Sequence, residues 1–127
     1  MMLLLDTHTF LWYLNANPRL PDSTRGIIQT SDKVYVSIAS FWEMAIKCSL
    51  GKLELSFPIT KIMEDCASLD FEILHISSAH LEAVQHLPWI HRDPFDRLLI
   101  AQAQCDDLTL VTEDMYIPQY DVKSIWD

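Results

Sequence analysis

Glycine is the residue this chain has least of: Gly26 and Gly51 are the only two among 127 residues. P-loops and dinucleotide-binding turns both need a glycine-rich loop to cradle phosphate, so neither is present. Gly51-Lys52 only superficially resembles the end of a P-loop, because no glycine precedes it at the right distance; Gly51 reads instead as a helix-ending C′ residue. Cysteine is sparse too. Cys48, Cys66 and Cys105 are odd in number and include no CxxC pair. Each lies in an apolar, helix-like segment, so buried thiols in a reducing compartment are expected rather than disulfides or a metal site. The opening apolar run is far too short to span a membrane. It also lacks the basic region and cleavage site of a secretory leader. The expected location is the cytoplasm. With no repeat, linker or low-complexity tract, residues 1–127 are expected to form one domain.

Positive charge is the other shortage. Nine Lys and Arg face 18 Asp and Glu, for a net charge of −9. Binding nucleic acid through phosphates alone calls for the opposite balance. The surplus acid is either an ordinary solvated face or a set of carboxylates gathered around divalent cations that reverse the local sign. Composition does not choose between them.

What the chain does contain is an opening apolar run, MMLLL, that stops abruptly at Asp6-Thr7. A short run of this kind is a buried strand. An acid directly after it stands at the carboxyl edge of a sheet, where open α/β folds place their chemistry. Downstream, helical and strand-like patterns alternate. Helices are expected over 7–14, 21–30, 38–50, 59–69, 77–87 and 95–105. Strands are expected at 34–36, 71–76, 108–111 and around 122–125. Ser37 is placed to cap the third helix and Asp93-Pro94 to open the last. Alternation of this kind predicts an α/β/α three-layer fold with a central, mainly parallel sheet of about four to five strands. Met2–Leu5 and Leu108–Val111 are the most continuously apolar strands and form the natural central pair, which sets Asp6 beside Asp114.

Each acid has a structural role to weigh against a chemical one. Asp6 is either the cap of the first helix or a site residue, and its place after the opening strand favours the site. Neighbouring His8 is a possible metal ligand or a solvated side chain. Glu43 lies in a helix read as built for burial through Ile38, Phe41, Trp42, Ala45 and Ile46. It either pairs with Lys47 at i, i+4 or faces Asp6 and Asp96. Asp93 suits an N-cap, and Asp96 sits in the first turn of the most apolar helix, where the macrodipole favours an acid. Asp114 repeats the pattern of Asp6, an acid just beyond a buried strand, and also suits a cap for the turn at 115–117. Several carboxylates converging in a dry cleft repel one another unless cations lie between them. Oxygen donors favour Mg²⁺ or Mn²⁺ over zinc. Such a site suits in-line displacement on phosphorus.

The blocks LLLDTHTFLWYL, SIASFWEMAIKCSLGKL, HRDPFDRLLIAQA and LTLVTED, in that order and spacing, closely resemble the PIN-domain ribonucleases, and above all the VapC-type toxins of toxin–antitoxin pairs. The resemblance spans nearly the whole chain and implies a PIN (Rossmann-like) fold. It implies a Mg²⁺- or Mn²⁺-dependent endoribonuclease whose acidic quartet is Asp6, Glu43, Asp96 and Asp114, with Asp93 accessory. It further implies that Thr112 orients Asp6 or a water, that Thr7 and Ser40 support the acids, and that Lys47, Lys52, Arg92 and Arg97 hold RNA phosphates. A homodimer and a small antitoxin covering the cleft are the implied partners, and an acidic surface would steer a basic inhibitor. Glu113 adds a negative charge beside Asp114. Two other readings stay open. A haloacid-dehalogenase-like phosphomonoesterase also opens on a strand ending in Asp, but wants a second Asp where this chain has His8. A non-catalytic PIN-like module would use the acids only to hold a metal or a protein.

Overall fold

The structure, a computed structural model, describes residues 1–126. Its elements run β1 (Met2–Leu5), α1 (Thr7–Leu14), α2 (Asp22–Thr30), β2 (Lys33–Ser37), α3 (Ile38–Ser49), α4 (Ile59–Ser68), β3 (Phe71–Leu74), α5 (Ser78–Gln85), α6 (Pro94–Asp106), β4 (Thr109–Val111), a 3₁₀ turn (Ile117–Gln119) and β5 (Ser124–Ile125). The five strands pair in the order β3-β2-β1-β4-β5, and every pairing is parallel. Leu3, Leu4 and Leu5 register with Val34, Tyr35 and Val36 on one side and with Thr109, Leu110 and Val111 on the other. The opening strand is therefore the centre of the sheet.

Strand alternation divides the interior in two. Leu3 and Leu5, with Val34 and Val36, point into a core filled by Phe10, Phe41, Met44 and Ile62, from α1, α3 and α4. Leu4 and Leu110 point the opposite way, into a core with Leu99, Ile100 and Ala103 of α6. A one-residue slip of β1 would exchange the two sets, so the register is firmly set. Each fully buried leucine of β1 is worth about 1.5–3 kcal/mol of burial.

Local signals fix the helix ends. The Ser37 hydroxyl accepts from the Ala39 amide at 3.1 Å, and Gly51 turns left-handed (φ +71°) beyond the end of α3. The Asp93 carboxylate accepts from the amides of Phe95 and Asp96, with Pro94 beginning α6. Two sequence expectations need correcting. Only Cys66 of the three thiols is buried, while Cys48 is half-buried and Cys105 exposed. α3 buries Ala39, Ser40, Phe41, Glu43 and Met44 and leaves Trp42 59% exposed. Its inward stripe thus passes through Glu43, and Trp42 packs edge-on against Phe95 of α6, 5.2 Å between ring centroids.

Candidate active site

Parallel pairing sends β1 and β4 out of the sheet at the same edge, and the Asp6 amide still donates to Val111 O at 3.2 Å. Beyond that edge lies a cleft of about 280 Å³. Asp6, Glu43, Asp93, Asp96 and Asp114 all line it, as do Glu113 and Lys47. The five acids come from four separate stretches of chain, which the fold alone brings together.

Each acid is held by its own partners. Asp6 is the N-cap of α1 and accepts from the Thr9 amide at 2.9 Å. Burial pushes its carboxyl pKa up, and hydrogen bonds from Thr112 and Thr9 oppose that rise. Thr112 Oγ1 itself accepts from the Asp114 amide at 3.0 Å, which frees its proton for Asp6 and ties the two strand-end acids together. Glu43 is 5% exposed inside α3. Its Oε1 accepts from Thr7 Oγ1 at 2.7 Å, and Thr7 Oγ1 lies 3.0 Å from Ser40 Oγ. Its Oε2 meets Lys47 Nζ at 2.8 Å. The i, i+4 pair is therefore real but not a surface pair, because its acid is buried.

Asp96 carries the clearest electrostatic signature. Burial, then the charges of Asp93, Asp6, Asp114 and Glu43, push its carboxyl up to about 8 from an ordinary 3.8. That list of repelling neighbours is the remainder of the acid set. Buried among these negative charges, Asp96 favours its neutral form, the opposite of what an isolated carboxyl does at neutral pH.

The sequence reading missed His91. Its Nε2 lies 3.0 Å from Asp96 Oδ2 and 3.1 Å from Asp114 Oδ2. His91, Asp96 and Asp114 offer ligand atoms within 4.8 Å of one another. The Asp93 amide donates to His91 Nδ1 at 3.2 Å, so Nδ1 has no proton and Nε2 carries it. In that tautomer the imidazole donates to Asp114 Oδ2 with Asp96 Oδ2 close beside it, and the lone pairs left for a cation are on oxygen. Tyr120 holds the loop in place: its hydroxyl accepts from the amides of Ile90 and His91 at 3.1 and 2.7 Å and donates to Pro88 O at 2.8 Å. The sequence signal was a histidine two residues before an N-cap acid, which carries little weight without the fold.

The residue set also needs a correction. Arg97, expected to hold RNA phosphate, is 4% exposed. Its guanidinium donates to the carbonyls of Pro88, His91, Val84 and Leu87 at 2.9–3.3 Å and stacks 3.7 Å from the Trp89 ring centroid. It fastens the 87–92 loop to α6. Position 97 faces away from the acids because it is one residue past Asp96, about 100° around the helix. Lys52 and Arg92 are exposed and outside the cleft lining. Glu113 is paired with Arg19 at 3.0 Å, which blunts its added charge. Asp114 Oδ1 caps the turn through the amides of Tyr116 and Ile117, leaving Oδ2 for His91.

This constellation, acids collected at the carboxyl edge of a parallel α/β sheet, matches a known class. The profile of the PIN domain matches residues 3–123, and the chain belongs to the PIN-domain family. Ribonuclease VapC22 of Mycobacterium tuberculosis is 27% identical over 111 residues, covering 87% of this chain and 85% of that protein. Among solved structures, VapBC2 from Rickettsia felis bound to a promoter DNA fragment superposes with a TM-score of 0.75 at 16% identity, over 100% of both chains. FitAcB from Neisseria gonorrhoeae gives 0.68 at 18% identity, over 98% of this chain and 96% of that one. A toxin–antitoxin complex from Klebsiella pneumoniae gives 0.65 at 18%, over 97% and 95%. At these identities the structural matches carry the fold.

Proposed function

We propose that this single PIN domain is a metal-dependent endoribonuclease, the toxin of a toxin–antitoxin pair, with Asp6, Glu43, Asp96 and Asp114 as its cation-holding acids and Asp93 as an accessory. The observation that carries this reading is the convergence of Asp6, Glu43, Asp93, Asp96 and Asp114 on one cleft, where burial and the other four acids push the Asp96 carboxyl up, as in a site built to hold a cation. The oxygen donors, with His91 Nε2 carrying a proton, favour Mg²⁺ or Mn²⁺. When bound there, such a cation supplies Lewis acidity to the phosphodiester and lowers the pKa of water. The chain's own residues do the positioning. Thr112 and the Thr9 amide orient Asp6, Thr7 and Lys47 fix the two oxygens of Glu43, and His91 bridges Asp96 to Asp114.

Supporting the substrate and partner assignments are the ribonuclease name of the 27%-identical relative and the toxin–antitoxin assemblies among the structural neighbours. A small antitoxin covering the cleft, a homodimer and a cytoplasmic location complete the proposal. No helix among the described residues is long and apolar enough to cross a membrane. A dehalogenase-like phosphatase is disfavoured at His8, which is exposed and stacked on Trp12, where that chemistry wants an acid.

The test is to incubate the protein and Mg²⁺ with RNA and, in parallel, with a small phosphomonoester. RNA cleavage that EDTA abolishes is the expected outcome. Turnover of the small ester alone would replace the nuclease reading with the phosphatase one.

A further inference from the structure

The cleft poses a problem for any RNA. Among the described residues it is lined by six carboxylates and one lysine, and that lysine is committed to Glu43. Phosphates entering it find little to hold them beyond whatever cation is bound. The cleft has another wall. α1, whose N-cap is Asp6, also turns His8 and Trp12 into the same cleft. These two residues are four apart, one helical turn or about 6 Å along the axis, and their rings stack with centroids 5.6 Å apart at 26°.

The stack is braced. The Arg19 guanidinium lies 4.5 Å from the Trp12 ring centroid and is anchored by Glu113 at 3.0 Å. Trp126 meets Trp12 edge-on at 6.0 Å. His8, by contrast, is exposed. An exposed, nearly planar ring backed by an indole that is already clamped costs little ordering when something lands on it.

We propose that His8 and Trp12 form a nucleobase-stacking subsite, which holds one unpaired base of a single-stranded RNA next to the phosphate presented to the acids. Base–aromatic stacking needs no positive charge and is tolerant of base identity, so it supplies affinity where this acidic cleft supplies no phosphate contact. It also selects for single strands, because a duplex keeps its bases stacked on each other. His8 follows Asp6 by two residues and lines the same cleft, which puts the subsite beside the phosphate presented to the acids. The inference rests on the ribonuclease reading.

The experiment is a cycle between protein and RNA. A short single-stranded RNA with a mapped cut site is prepared in versions carrying one abasic residue at each position flanking the cut. KM is measured for each with the wild-type protein, His8→Ala and His8→Phe, in Mg²⁺. His8 is exposed, so both variants should fold. With wild type, one abasic position should raise KM about tenfold. His8→Ala should raise KM on the intact RNA similarly and lose its sensitivity to that abasic position, and His8→Phe should restore both. A fluorescent 2-aminopurine at the same position should be quenched by wild type and His8→Phe but not by His8→Ala. If RNA is cleaved but the abasic penalty is the same in wild type and His8→Ala, the subsite is wrong and the nuclease reading stands. If the wild type cleaves no RNA, both fall.

Discussion

At the scale of single residues, Asp96 decides most. Its carboxyl is raised from 3.8 to about 8, chiefly by burial and then by Asp93, Asp6, Asp114 and Glu43, so the folded protein holds this proton more tightly than the unfolded chain does. The sign follows: metal-free stability falls as pH climbs from about 4 towards about 8. Asp96→Asn removes the ionisation, and the expected result at pH 7 is a metal-free protein more stable by about 1–2 kcal/mol with a flatter pH profile. Thermal unfolding across pH with EDTA present checks both. His91 offers a second test. With Nδ1 occupied by the Asp93 amide, its Nε2 proton should persist when Mg²⁺ is added, as read from long-range ¹H–¹⁵N NMR of the imidazole. Loss of that proton would make His91 a ligand and the donor set mixed.

At the scale of elements, much was legible because patterns were local. The opening strand, the Ser37 and Asp93-Pro94 caps and the left-handed Gly51 each depend on a few adjacent residues. Faces were harder. α3 carries Trp42 and Met44 on either side of Glu43, and periodicity alone did not show that the helix buries the acid and exposes the indole. Arg97 is the same case: a base beside a site acid reads as a phosphate ligand, whereas its guanidinium is taken up by backbone carbonyls. It satisfies the end of α5 and the 87–92 loop, with a guanidinium whose planar fork a lysine lacks. Arg97→Ala and Arg97→Lys should each destabilise the fold by about 3 kcal/mol or more, seen as a lower midpoint in urea without a shift in the pH profile set by Asp96. A near-neutral Arg97→Lys would mean the guanidinium is not the fastener.

For the whole molecule, a charge of −9 argues, on composition alone, against binding nucleic acid. The structure puts six of its carboxylates around one cleft, so part of the surplus belongs to a site rather than to a solvated coat. The sequence could order the acids along the chain but not place them. Their convergence depends on β1 lying between β2 and β4, and on α3 and α6 both starting at that edge, which only the complete fold specifies. Among the described residues the cleft's one cationic side chain is Lys47, paired with Glu43, so under the proposed function RNA affinity should depend on the bound cation and on stacking, and a basic inhibitor should be drawn to the same place.

The central claim is that distant acids form one cation-holding pocket, and calorimetric titration of Mn²⁺ into the metal-free protein tests it most directly. The expected result at pH 7 is saturable binding with release of about one proton, from Asp96, tightening as pH rises, and weakened at least tenfold by Asp6→Asn. Absence of saturable binding, or an affinity indifferent to both pH and Asp6→Asn, would contradict it.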